Sequence, residues 1–269
     1  MANYSYETLL VDKKDNILTI TLNRPERLNA LNETMHHEME NVFATVGVDP
    51  EIGAVVVTGS GRGFCSGGDV RAMAERGGST ALALKPLGAI SQSGRRLLHN
   101  MLWVEQPVIC ALNGVAAGLG ATIALFCDIV YASDRARIGD THVRAGLVAG
   151  DGGAVIWPLL IGMSKAKELL MTGDIIDAQE AERIGLINKV VPHDDLMETV
   201  MELAQRLASG PALAVRATKH TLNKKLWSDL NMMLDLGLAL EERSSRHEDH
   251  REAAQAFVEK RTPTYKGTI

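Results

Sequence analysis

In ETLLVDKKDNILTITL, residues 7–22, apolar and polar residues alternate on either side of the DKKDN segment, which predicts a β-hairpin. Apolar residues then recur at Met35, Met39, Val42, Phe43 and Val46, a spacing that buries one face of a helix. AVVVTG (54–59) reads as a buried strand, and the glycine-rich loop SGRGFCSGGD (60–69) and a polar stretch to Trp103, read as helical or partly mobile, follow it. PVICALNG (107–114) is a second buried strand, succeeded by glycines and the apolar helix GATIALFCD, and IVYAS (129–133) is a third. Strands thus alternate with helices to about residue 192, the pattern of an α/β core with parallel strands and loops at their carboxyl ends. From Asp195 onward the periodicity is helical, and SGPA (209–212) marks a break between helices. The expected division is an α/β core over residues 1–200 and an all-helical region over 201–269.

A chain of 269 residues with 46% hydrophobic content can bury a sizeable core. The net charge of −5, with no basic stripe interleaved with aromatics, argues against nucleic acid as a partner. Polar residues or glycines interrupt each apolar stretch well short of the roughly 20 residues that a membrane span needs, so no membrane partner is expected. MANYSYETLL has no basic region leading into an apolar one, so no secretory signal is read there. Cys65, Cys110 and Cys127 are odd in number and widely spaced, which suits a reducing compartment and makes the cytoplasm the expected location.

Two glycine-rich segments carry candidate chemistry. SGRGFCSGGD lacks the lysine of a phosphate loop, and NGVAAGLG, with glycines at 114, 118 and 120, lacks the dinucleotide-binding spacing. Both are strand-to-helix turns, which leave main-chain N–H groups at a positive helix terminus. They are either tight turns only, or two donors that can share one carbonyl oxygen as an oxyanion hole. No C-x-x-C or H-E-x-x-H occurs, so no metal is expected, and His247, Glu248, Asp249 and His250 read as a solvated helical face. Ser66 is not in a nucleophile elbow and nothing nearby activates Cys65, so both read as packing residues. In GDTHVRAGLVAGDGGA (139–154), Asp151 directly precedes an apolar helix, where it can cap the helix, serve as an ionised general base, or do both. His142, nine residues earlier, would ordinarily be a partly buried, hydrogen-bonded histidine, and its proximity to Asp151 adds a catalytic alternative.

LNRPERLNAL (22–31), AVVVTGSGRGFCSGGDV (54–70), QPVICALNGVAAGLGATIALFCDIVYAS (106–133), MTGDIIDAQEAERIGLINKVV (171–191) and FVEKRTP (257–263) together resemble the enoyl-CoA hydratase/isomerase (crotonase) superfamily, in order and over nearly the whole chain. The resemblance implies a ClpP/crotonase spiral of β-β-α units with a helical carboxyl-terminal domain that mediates trimers, often paired as hexamers. It implies an acyl-CoA thioester as substrate, with coenzyme A part of that substrate and no separate cofactor. By position, the enolate oxygen would be held by the main-chain N–H groups of Gly68 and Leu119. The CoA portion would be lined by Arg27, Leu28, Ala30, Gly68, Asp69, Val70 and Arg71, and Lys260 could reach a CoA phosphate of its own or a neighbouring subunit.

Hydratases that this chain resembles use two glutamates to activate water, and the matching positions here hold Thr122 and His142. A threonine hydroxyl does not take a proton near neutral pH, whereas histidine can. Other members carry their acid a few residues further on, close to Asp151, whose D-G-G also resembles that of dihydroxynaphthoyl-CoA synthases. Asp151 is therefore the expected acid/base and His142 its partner or a substrate contact. The expected reaction is hydration of a 2-enoyl-CoA; double-bond isomerisation, decarboxylation and thioester hydrolysis are alternatives, and a non-catalytic acyl-CoA-binding subunit is a rival of another class.

Overall fold

The computed structural model describes residues 4–69 and 89–267. Leu9–Lys14 (β1) and Ile17–Leu22 (β2) form the expected antiparallel hairpin. Asp15 and Asn16 turn it with φ of 50° and 63°, the left-handed pair that matches strand twist in a two-residue loop. Glu33–Val48 (α1) begins where the Asn32 side chain accepts the Met35 N–H at 2.9 Å, and it buries the five apolar residues that the spacing picks out.

From there the chain makes three strand-strand-helix turns. Ala54–Gly59 (β3) and Gly63–Cys65 (β4) precede Ala89–Trp103 (α2); Val108–Leu112 (β5) and Val115–Ala117 (β6) precede Leu119–Leu125 (α3); Ile129–Ser133 (β7) and Arg137–Gly139 (β8) precede Gly153–Thr172 (α4). Ile176–Asp177 (β9), Ala178–Arg183 (α5), Lys189–Val191 (β10), Leu196–Ala208 (α6), Ala212–Ser245 (α7) and Glu248–Glu259 (α8) complete it. The first strand of each turn enters a six-stranded sheet of order β1-β2-β3-β5-β7-β10, and the second enters a smaller sheet of order β4-β6-β8-β9. This is the spiral of β-β-α units, with a helical carboxyl-terminal region.

The smaller sheet corrects the local reading. β4 and β6 lie in segments read as glycine-rich loops, because strands of three residues carry no measurable alternation. Their glycines serve close approach: a Cβ on Gly114 would lie 2.2 Å from the Arg62 carbonyl oxygen, and one on Gly120 would lie 2.3 Å from that of Cys65.

The main core includes α1, α2, α3 and one face of the large sheet. On the other face Leu196, Val200, Leu203 and Ala204 of α6 pack against Ile17, Val56, Ile109 and Val191. The expected division at residue 200 therefore runs through a helix that covers the sheet. α7 docks by Leu230, Leu234 and Leu238, one face at four-residue spacing, and Lys219 fixes it to the core through Asp128 at 2.7 Å and the Gln106 carbonyl at 2.8 Å. Among the described residues, no helix is long and apolar enough to cross a membrane.

Candidate active site

Asp151 stands immediately before α4, and the glycines after it are fixed by what surrounds them. Gly152 adopts φ 108° as the N-cap, and a Cβ there would fall 2.8 Å from Leu98 Cδ1. A Cβ on Gly153 would fall 2.1 Å from Asp140 Oδ2, so the space of that side chain is taken by a carboxylate. The glycine run thus allows two acids to be packed against one helix terminus.

Between those acids lies His142. Its Nδ1 faces Asp140 Oδ1 at 2.7 Å, its main-chain N–H donates to the same oxygen at 3.2 Å, and its Nε2 lies 3.1 Å from Asp151 Oδ2. Thr122 donates its hydroxyl to Asp151 Oδ1 at 3.1 Å. All four residues are buried. Burial pushes the His142 pKa down, but the charges of Asp151 and Asp140 and their hydrogen bonds outweigh it and hold the pKa well above the usual imidazole range. Burial likewise pushes Asp151 up, and His142, Thr122 and the Gly153 N–H overcome it, leaving the carboxyl below its ordinary range. Asp151 is therefore engaged by the Gly153 N–H at the helix terminus and is held in its ionised form beside His142, the state that a general base requires. Asp140, His142 and Asp151 are also the group among the described residues whose ligand atoms lie close enough, within 4.8 Å, to hold a metal ion.

The two glycine turns lie side by side with this cluster. β4 pairs with β6, and a Cβ on Gly67 would fall 2.7 Å from the Ala117 carbonyl oxygen. Leu31 donates its N–H to the Gly67 carbonyl at 2.8 Å and accepts the Asp69 N–H at 3.1 Å, so the alternation of an extended backbone turns the Gly68 N–H to the opposite side. Leu119 is the first residue of α3, where an N–H has no partner within the helix. Gly118, at φ 52°, abuts the imidazole: a Cβ there would be 3.5 Å from His142 Cε1.

Arg27, Leu28 and Ala30 belong to a short 3-10 turn and its exit, and Leu28, at φ 50°, accepts the Ser66 N–H through its carbonyl at 3.0 Å. This connects them to the segment after β4 that carries Gly68. Asp69 is buried and pairs with Arg24 at 3.1 Å, which gives its side chain a structural partner. Val70 and Arg71 lie outside the described residues. Lys260 is exposed at the end of α8, and among the described residues no hydrogen bond or ion pair joins it to this group. Cys65 is buried and its thiol is pushed up to about 12 by that burial, as a packing residue would be. The solvated reading of 247–250 is corrected at His250, which is buried with Nδ1 2.7 Å from the Ala145 carbonyl.

Sequence reasoning missed two acids. Asp140 had a signal, since an aspartate two residues before a histidine can turn back onto its ring. Glu241, on α7, had none: ninety positions separate it from Asp151, and only the docking of α7 brings it to the cluster.

The enoyl-CoA hydratase/isomerase family model matches residues 12–268. A probable enoyl-CoA hydratase of Mycobacterium bovis is 35% identical over 261 residues, 97% of this chain and 98% of that protein. The 1,2-epoxyphenylacetyl-CoA isomerase of Escherichia coli is 34% identical over 262 residues, 97% and 99% of the two chains. The crystal structure of an enoyl-CoA hydratase/isomerase from Mycobacterium paratuberculosis superposes with a TM-score of 0.87 at 35% identity, covering 94% of this chain and 99% of the other.

Proposed function

Since the chain belongs to the enoyl-CoA hydratase/isomerase family, we propose that it adds water across the double bond of a 2-enoyl-CoA thioester at the Asp140–His142–Asp151 cluster. The observation that carries this reading is the imidazole held at both ring nitrogens by buried carboxylates and lying against the turn that begins α3. In the proposed reaction the thioester oxygen rests on the N–H groups of Gly68 and Leu119. Asp151 takes a proton from water as the water oxygen bonds to Cβ, and the double-bond electrons move onto the thioester as an enolate. Donors fixed in advance stabilise that charge without reorganising. His142, kept in one orientation by Asp140, stabilises the Asp151 carboxylate. Arg27, Leu28, Ala30 and the Gly68–Arg71 segment are the proposed CoA contacts, with Lys260 for a phosphate.

Double-bond isomerisation is the second reading. Thr122 stands where a second glutamate was expected and donates to Asp151, so a single base passing one proton between two carbons also fits. Against a purely binding role stands the cost of burying His142 between two carboxylates, a burden that binding alone does not require. Turnover is to be measured on 2-enoyl-, 3-enoyl-, malonyl-type and saturated acyl-CoA, with products identified. Hydroxyacyl-CoA from the 2-enoyl substrate supports hydration, double-bond migration supports the second reading, and binding without chemistry on any substrate overturns both.

We also propose self-association as a trimer or dimer of trimers. Leu213, Leu222, Met232 and Leu236 of α7 and Phe257 of α8 are exposed apolar residues, at 57–85% of full accessibility, of the kind that subunit contacts cover. Light scattering that returns a monomer mass would overturn this.

A further inference from the structure

Glu241 has no role in the steps above, yet it is built into the same site. A Cβ on Gly150 would lie 2.2 Å from the Gly237 carbonyl oxygen and 2.8 Å from Glu241 Cβ, so the backbone of α7 is pressed against the residue that precedes Asp151. Glu241 follows Gly237 by one helical turn, which puts both on the face that meets this loop. Leu234 and Leu238 on α7, both buried, keep that face in place. The Glu241 residue is partly buried, but its Oε2 is sealed from solvent and has no hydrogen-bond partner among the described residues. A buried carboxylate oxygen left unpaired is costly, whereas a neutral carboxylic acid tolerates the position.

We propose that Glu241 is the second acid of the active site, a neutral carboxylic acid that donates the proton to Cα of the enolate after Asp151 has taken one from water. The inference rests on the hydration reading. It supplies from α7 the second carboxyl group missing from the two positions held by Thr122 and His142. Two acids whose surroundings separate their protonation states divide into base and acid. Asp151 is bound to an imidazolium, a hydroxyl and a helix-terminal amide, and stays ionised. Burial pushes Glu241 up to about 8, with the Asp151 charge adding to it, His142 opposing and Asp140 adding again. Those three are the charged groups acting on it among the described residues; Glu242, next to it on α7, pairs with Arg246 at 2.7 Å.

The atoms balance. Water gives one proton to Asp151 and its oxygen to Cβ, and the double-bond electrons become the enolate. The enolate returns them to form the Cα–H bond with the Glu241 proton, and the proton on Asp151 then restores Glu241. The net change is addition of one water.

The test uses the full chain and the best 2-enoyl-CoA of the panel, with Glu241→Gln and Glu241→Asp beside wild type. Gln reproduces the shape of the neutral acid but has no acidic proton. Turnover of Glu241→Gln is expected to fall roughly 100-fold or more, with KM and melting temperature at pH 7 little changed. Wild type should lose rate as pH rises past about 8, where the donor ionises, and Glu241→Gln should lack that alkaline limb. Glu241→Asp, which retains a proton, should recover part of the rate. Infrared difference spectra should show a protonated carboxyl band at pH 7 in wild type that Glu241→Gln lacks, a readout independent of turnover. A wild type without hydratase turnover overturns the hydration reading and the donor step with it. An active wild type overturns the donor step alone if Glu241→Gln keeps its turnover and alkaline limb, or if the infrared band is absent.

Discussion

His142 Nε2 lies 3.1 Å from Asp151 Oδ2, a buried ion pair between residues nine positions apart, one in a 3-10 turn after β8 and the other at the start of α4. Asp151→Asn keeps the shape and an acceptor for Thr122 but cannot take a proton. Turnover should fall roughly 1000-fold, equivalent to about 4 kcal/mol of transition-state stabilisation. The native carboxyl is held below its usual range, so its contribution to stability is present above the unfolded value of 3.8 and is lost as pH falls through the folded value. Melting curves from pH 7 down to pH 2 should therefore show less acid sensitivity in Asp151→Asn. Normal turnover with lowered stability would reduce Asp151 to a helix cap.

The second ring nitrogen gives a separate test. With Asp151 and Asp140 on either side, His142 should remain protonated at pH 7, and its ring resonances should show no titration near 6.5. Its stabilising effect is complete below 6.5 and lost as pH rises through the raised folded value. Asp140→Asn weakens the hold on Nδ1, so it should lower the pH at which the ring titrates and reduce turnover about 100-fold by misorienting the imidazole. A ring that titrates at 6.5 in wild type would contradict the bracketed geometry.

Leu119 is proposed to act by main chain alone, so Leu119→Ala should keep most of the activity. Leu119→Pro removes the N–H at a first helical position, where proline is conformationally tolerated, and should cost about 100- to 1000-fold in turnover. A folded, substrate-binding proline variant with normal turnover would remove Leu119 from the oxyanion hole.

Away from the active site, Glu40 joins α1 to α2 through Arg96 at 2.8 Å and Ser93, and pairs with His36 of its own helix at 3.1 Å. Burial raises its pKa, and these bonds outweigh that and bring it down to about 2. Glu40→Gln should lower stability by about 2–3 kcal/mol at pH 7. The difference should persist above 4.5 and disappear as pH falls through about 2, which chemical denaturation at several pH values will check. An equal deficit at pH 2 and pH 7 would place the effect in packing instead of charge.

The hairpin, α1, the three buried strands and the break before α7 were legible because each is a local rule, period two, period 3.6 or a glycine-proline stop, written in consecutive residues. Asp151 and His142 stood out because an acid and an imidazole are crowded among glycines in one short stretch, whereas Gly68 and Leu119 were picked out by position from the family resemblance. The small sheet was not legible in the local pattern: strands of two or three residues are stabilised by pairing with β4, β6, β8 or β9, not by any pattern of their own. Asp140 had only the local signal of its place two residues before His142, and Glu241 was beyond local reading, because a carboxylate acquires its function from the charges that folding brings against it. Burial and the neighbouring groups separate Asp151 from Glu241, one ionised and one raised to about 8. The sequence by itself determined the order of the hairpin, the long buried strands and the helices that follow them, and which turns are chemically unusual. Only the tertiary structure decided which acids share a site, since protonation depends on desolvation and on distance through space.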